Sequence, residues 1–227
     1  MKLSNDTQAI LKNFASINSN IVISPGNAIK TISEAKNILA KATVSESFDT
    51  TFGIYDLNEF LGVTGMFDDP ELTIADDSLS IKISQDRRSV KYFFSDTSIL
   101  TSPSKDITMP STEVTFKLTQ EDMTALRKAS STLGVSDVMV VGESGASGLK
   151  LVVSDVKDST SNAFSIDVSE CTRSNESFKF VFNIGNFKFV GGDYQVSISS
   201  KLISHFKNLT TPVEYWVALE KNSTFGD

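Results

Sequence analysis

The chain carries an internal repeat, and a repeat constrains a fold more than any single segment, because each copy must build the same supersecondary unit. Lys2-Leu3-Ser4 matches Lys117-Leu118-Thr119, 115 positions on, and the same shift sets Leu11 on Leu126 and Lys12 on Arg127. Ile54-Tyr55-Asp56-Leu57, three residues before Phe60, matches Val181-Phe182-Asn183-Ile184, three before Phe187, at a shift of 127. In both copies of the second match an aliphatic-aromatic strand end delivers an Asx cap to a short helix. Two matches in the same order at similar shifts point to duplication.

The periodicity agrees. Apolar residues at 3, 10, 14 and 17 form one stripe at helical spacing, so the chain from Ser4 to Ile17 is predicted to be an amphipathic helix with Ser4 as N-cap. Short β-branched runs follow at Ile21 to Ile23, Thr43-Val44 and Phe48 to Tyr55, and Asp56 can start a second helix with Leu57, Phe60 and Leu61 on one face. Glu71 to Ile74, Leu79 to Ile83 and Val90 to Phe94 read as further strands. After the Pro-, Ser- and Thr-rich stretch the order restarts with a strand from Glu113 and a helix from Thr119 to Leu133, whose apolar face is Met123, Leu126, Ala129 and Leu133. Asp122, three residues after Thr119, is a variant of the capping box. Strands are expected at Asp137 to Val141, Gly148 to Ser154, Ala163 to Ser169, Phe178 to Phe182, Tyr194 to Ser199 and Glu214 to Leu219. The reading is an α+β chain with one domain at 1–97, a connector at 98–111 and a second domain at 112–227.

Composition removes several classes of function. With 40% hydrophobic and 22% charged residues the chain can build a core and is not a disordered one. Met1 to Asp6 lacks the apolar core of a signal peptide, so the protein is expected to stay in the cytosol where it is made. One cysteine, Cys171, makes no internal disulfide, and one cysteine with one histidine falls short of the usual four ligands of structural zinc. Gly142 to Gly148 is followed by Leu149-Lys150 and a strand, which suits a hairpin turn and not a phosphate loop. His205 lacks a second histidine to support a nucleophile, and it reads as a surface strand or loop residue. Asp68-Asp69 and Asp76-Asp77 flank strands as turn residues do. No convergent set of titratable groups points to an enzyme, a metal or a cofactor.

A net charge of −7 argues against nucleic acid only if it is spread evenly over the surface. Lys12 lies two residues from both Ile10 and Phe14, at the centre of the first helix's polar face. Lys128 stands in the same relation to Leu126, with Arg127 beside it. Solvated lysines on any surface helix fit that spacing equally. A duplicated pair turned to one side also suggests a concave positive surface.

Three segments carry a resemblance that spans both ends of the chain. These are Met1-Lys2-Leu3-Ser4-x-Asp6-Thr7-x-Ala9-x-Leu11-Lys12-Asn13-Phe14-Ala15-x-Ile17-Asn18-Ser19, Ile54-Tyr55-Asp56-Leu57-Asn58-x-Phe60-Leu61-Gly62, and Tyr215-x-Val217-Ala218-Leu219-Glu220. They closely resemble the sliding clamps of T4-like bacteriophages. Ser24 to Asp49 and Val156 to Asn175 match poorly, and Asn5 stands where the family carries a basic residue.

The resemblance implies the processivity-factor (DNA clamp) fold: two duplicated domains with antiparallel sheets outside and helices on the inner face, three copies closing head to tail into a ring around duplex DNA. It implies no cofactor, and as partners the replicative DNA polymerase, an ATP-dependent clamp loader and the late-transcription machinery, in the cytoplasm of an infected bacterial host. Lys12, Arg127 and Lys128 are then expected to face the DNA. Strand order in the family places the subunit contact at Val90, Tyr92 and Phe94 against Phe164, Ile166 and Val168. A pocket for partner tail peptides is expected at Tyr215, Val217 and Leu219 with Ile107 and Met109 of the connector, although all five also fit an ordinary core. Outside the resemblance, a phage structural protein of two β-rich domains is the competing class.

Overall fold

The computed structural model describes residues 1–76 and 78–226. The chain divides into two compact units, Met1–Asp106 and Ile107–Asp227, and the division falls inside the stretch read as a connector. No helix among the described residues is long and apolar enough to cross a membrane.

The first unit opens with α1 (Asn5–Ile17), followed by β1 (Ile21–Ile23), β2 (Gly26–Ile32), β3 (Ile38–Phe48), β4 (Phe52–Ile54), α2 (Leu57–Thr64), β5 (Glu71–Ile74), β6 (Ser80–Gln85) and β7 (Arg88–Phe93). All its pairings are antiparallel: β1 with β4, β2 with β3, and a three-stranded sheet in the order β5-β6-β7. α1 packs on α2 and on the β2–β3 hairpin, burying Ile10, Leu11, Phe14 and Ile17. The expected single strand from Phe48 to Tyr55 is two strands, because Asp49-Thr50-Thr51 turns the chain between β3 and β4.

The second unit comprises β8 (Val114–Leu118), α3 (Gln120–Leu133), β9 (Asp137–Gly142), β10 (Leu149–Val153), β11 (Phe164–Val168), β12 (Cys171–Arg173), β13 (Phe178–Asn183), a 3-10 turn at Ile184–Asn186, β14 (Tyr194–Ser199), β15 (Ile203–Asn208), β16 (Val213–Ala218) and β17 (Thr224–Phe225). One sheet runs β11-β10-β9-β13-β17, and β12, β8, β14, β15 and β16 hydrogen-bond in that order in another. β15 was not expected, and its period is hidden by polar residues at inward positions. Ser204 and Asn208 are both buried there, the Ser204 hydroxyl donating to the Val217 carbonyl at 2.8 Å.

The repeat is visible in hydrogen bonds as well as in residues. Ser4 and Thr119 cap the two long helices, while Asp56 caps α2 and Asn183 the 3-10 turn at the matching place. The residue after each Asx cap donates to a carbonyl one or two residues before a strand: Leu57 N–H to Ser19 O at 2.7 Å ahead of β1, and Ile184 N–H to Ser136 O at 2.8 Å ahead of β9. Thr119 and Asp122 form the reciprocal capping box that the sequence suggested. The Gly142–Gly148 segment joins β9 to β10 as a hairpin, with Gly145 at φ 74°.

Two measurements check this account. Thr119→Ala is expected to lower stability by about 1 kcal/mol in urea denaturation, because it leaves an orphan amide at the start of α3. Alkaline titration tests the core: burial pushes the Tyr194 phenol up to about 12, whereas an unfolded tyrosine ionises near 10. The unfolded state releases its proton first, so the stabilisation is complete below about pH 10 and declines towards about 12. Tyr194→Phe should make that decline shallower.

Candidate functional site

The long helices are oriented by what they bury and by how they start. On α1 the Ser4 hydroxyl accepts from Thr7 N–H at 3.2 Å, and the Glu46 carboxylate of β3 accepts from Ser4 N–H and from the Thr7 hydroxyl. Burial raises the Glu46 pKa, but these hydrogen bonds outweigh it and the net position is below the usual carboxylate range. With the buried stripe fixed, Lys12 lies roughly 160° around the helix from it and is exposed. Lys128 occupies the equivalent place on α3, opposite Met123, Leu126 and Ser130.

Arg127 departs from the expectation. It sits on the flank of α3, roughly 65° from the buried stripe, and its Nη2 donates to the Phe187 carbonyl at 2.5 Å. The guanidinium ties α3 to the segment after the 3-10 turn, a tether to which Lys12 and Lys128 have no counterpart in the same place. That tie leaves Lys188 as an exposed neighbour of the tethered carbonyl.

The expected contact strands are both sheet edges. Among the described residues β7 pairs only with β6, and β11 only with β10. Val90, Tyr92 and Phe94 are half-buried on one face of β7, and Phe164, Ile166 and Val168 are half-buried on one face of β11. Tyr92 already meets its own unit, its ring edge-on to Phe60 at 5.4 Å and its hydroxyl donating to Asp56 O at 3.3 Å. Phe94 stacks on Phe52 at 4.5 Å.

The expected peptide pocket is corrected by burial. Tyr215 is 0% exposed, with Phe189 at 4.7 Å and Tyr194 at 6.2 Å between ring centroids, and its hydroxyl accepts from Val190 N–H at 3.2 Å. Val217 and Leu219 are also buried. In β16 the alternation points Tyr215 and Val217 into the unit's core, where an aromatic cluster needs them more than a rim does. Ile107 and Met109 are half-buried and exposed in part.

Sequence reasoning missed a cleft of about 700 Å³ in the second unit, lined by Val135, Asp137, Val156, Asn183 and Lys221 among others. Its walls come from separate chain segments, so no local motif announces it. His205 belongs to β15, stacked on Trp216 at 4.7 Å with Nε2 2.9 Å from Glu214 Oε2. Cys171 is half-buried, its thiol directed at Ser147 O at 3.5 Å. Asp69 pairs with Lys2, and Asp77 lies outside the described residues.

Residues 4–100 match the family model for DNA polymerase processivity factors, and residues 115–221 match that for the C-terminal part of the gp45 sliding clamp. The sliding clamp of Vibrio phage KVP40 is 34% identical over 224 residues, covering 97% of this chain and 99% of that protein. The sliding clamp of Escherichia phage RB69 is 34% identical over 233 residues, covering 99% of each. The chain belongs to the sliding-clamp family of DNA polymerase processivity factors. The fold is shared more widely: PCNA of A. fulgidus, solved with the C-terminal region of FEN-1 bound, superposes with a TM-score of 0.71 at 14% identity over 98% of both chains.

In this clamp the two matched families meet the two compact units in order, so the repeat in the sequence is the repeat of the fold. The two lysines and the arginine of the clamp separate by mutation. Arg127→Ala is expected to cost about 1 kcal/mol of stability through loss of the charged hydrogen bond, whereas Lys128→Ala should stay within about 0.5 kcal/mol of the parent in urea denaturation.

Proposed function

We propose that three copies of this clamp close head to tail into a ring around duplex DNA, tether the replicative polymerase, and are placed on DNA by an ATP-driven loader. The observation that carries the reading is the placement of Lys12 and Lys128: each repeat of an acidic chain turns one lysine directly away from the buried stripe of its long helix. Three copies at −7 each total −21, which repels a polyanion if distributed evenly. A few inward cations give weak, sequence-blind phosphate contacts that permit sliding, while closure prevents escape. A heterologous contact that closes after three steps is how identical subunits make such a ring, and β7 and β11 are among the sheet edges of the described residues that suit it. The site of action is the cytoplasm of the infected host, and late transcription is a second process served by the same ring.

Ile107 and Met109 are the side chains we assign to capture of partner tail peptides, since they remain part-exposed where Tyr215, Val217 and Leu219 do not. The A. fulgidus PCNA structure, with a partner's C-terminal region bound, supports that mode of capture for the fold.

Loaded onto closed circular DNA, the clamp should survive salt that strips ordinary phosphate binders and should leave once the circle is cut. Retention that is indifferent to cutting would overturn encirclement. Lys12→Ala with Lys128→Ala should reduce polymerase processivity several-fold at moderate salt without changing the sedimented mass, three times 24.7 kDa. In a titration with the polymerase's C-terminal peptide, Met109→Asp should weaken binding about tenfold or more; unchanged affinity would move the pocket elsewhere.

A further inference from the structure

The connector is fastened at its carboxy-terminal end. From Ile107 to Glu113 burial alternates: Ile107, Met109, Ser111 and Glu113 are half-buried, while Thr108, Pro110 and Thr112 are exposed. Side chains two apart on an extended chain share a face, so the two apolar residues assigned to peptide capture and the two polar ones turn the same way. Among the described residues no backbone–backbone hydrogen bond holds 107–112. The bonds that order this stretch come from Ser111 and Glu113.

Both residues grip one turn. Glu113 Oε2 accepts from Ser200 N–H at 2.8 Å and Oε1 from the Ser200 hydroxyl at 3.1 Å, while Glu113 N–H donates to Ile198 O at 3.0 Å. Ser111 Oγ lies 2.7 Å from the buried Ser199 Oγ. Ser199 Oγ accepts from Lys201 N–H at 3.2 Å, and the Ser111 hydroxyl bonds the Glu113 carboxylate, which only accepts when ionised. With Ser111 donating to Glu113, the proton shared by the two serines comes from Ser199. The donors thus run in one direction and end on a charge, where hydrogen bonds are strongest. Burial pushes the Glu113 carboxyl up, but the Ser200 amide and the Ser111 and Ser200 hydroxyls outweigh it, and its net position is below the usual carboxylate range.

The gripped turn is itself strained. Ser200, Lys201 and Leu202 join β14 to β15, with Ser199 paired to Ile203 and Leu202 N–H donating to Ser199 O at 3.2 Å. A hairpin loop of this length needs a left-handed residue at its last place, a place that suits glycine. Leu202 stands there with φ 62°. Such a conformation persists in a bulky residue only when its surroundings over-determine it, and here Glu113 holds Ser200 while Leu219 N–H donates to Leu202 O at 3.0 Å. Leu202 and Ile203 are half-buried, so the turn that anchors the connector offers apolar side chains within three residues of the grip.

We infer that Glu113 is a positioning residue for peptide capture: through Ser111, Ser199 and Ser200 it latches the connector to the β14–β15 turn, so that Ile107 and Met109 are held in place before a partner arrives. This rests on the capture site proposed above and goes further by naming what pre-organises it. A connector released from the turn has to be ordered again at each binding event, and affinity falls with the fraction of time it is latched.

The test titrates the polymerase's C-terminal peptide against the full chain carrying Glu113→Gln, which keeps the shape and removes the charge, or Ser111→Ala, which breaks the relay and leaves Glu113 on Ser200. The expected losses of affinity are about tenfold and about threefold. A nitroxide attached through Thr108→Cys, in a chain with Cys171→Ser, reads the latch without any peptide. Its spectrum should be ordered when Glu113 is present and gain a mobile component with Glu113→Gln. If Met109→Asp weakens the peptide and Glu113→Gln does not, the positioning role is wrong and the capture site stands. A lower urea midpoint with affinity and nitroxide mobility both unchanged makes Glu113 a purely structural residue, which also overturns the role. If neither Met109→Asp nor Glu113→Gln changes affinity, the capture site itself fails and the positioning role fails with it. Should Glu113→Gln not fold, Ser111→Ala decides by the same two readouts.

Discussion

A long helix in this chain can bury only one narrow stripe, and that limit organises the rest. α1 commits Ile10, Leu11, Phe14 and Ile17 to its unit's core, and α3 commits Met123, Leu126 and Ser130. Once the stripe is seated and the first turn is held, by Glu46 on α1 and by the Thr119–Asp122 box on α3, the rotation of each helix about its axis is no longer free. The position of Lys12 and Lys128 follows from that rotation. A cation whose direction is set by core packing needs no dedicated bonds to aim it, and this suits the proposed role of touching phosphate without gripping it.

The same logic explains why Arg127 behaves differently from its neighbour. One residue of helical advance moves a side chain by about 100°, which carries Arg127 from the solvated face to the flank, within reach of the Phe187 carbonyl. Adjacent basic residues in sequence are therefore not equivalent cations in space. The repeat aligns Lys12 with Arg127 in sequence, whereas the helical angle makes Lys128 the residue that lies opposite its buried stripe as Lys12 does.

Much of the fold was legible in the sequence because its signals are local. Caps at Ser4, Asp56, Thr119 and Asn183 are short-range chemistry, and the apolar spacing of α1 and α3 is a property of one segment each. What escaped depends on partners far along the chain. β15 hides behind buried Ser204 and Asn208, whose polar groups are acceptable only because Val217 O and the Thr210–Thr211 turn satisfy them. Tyr215 has the look of a rim residue in sequence, an aromatic with a polar tip, yet its hydroxyl is answered inside by Val190. Alternation along β16 gave the correct face; it could not say whether that face was covered.

On the β6–β7 ladder Lys82 lies directly across from Lys91, and both are exposed. An exposed edge strand invites its own twin, since two copies of β7 could hydrogen-bond about a two-fold axis and cap each other as dead-end dimers. In the register that sets Lys91 opposite its own counterpart, such a pair would gather four ammonium groups in one row, and the repulsion penalises it. Like charges across one ladder thus disfavour pairing of this edge with its own copy, which is compatible with the head-to-tail closure proposed for the clamp.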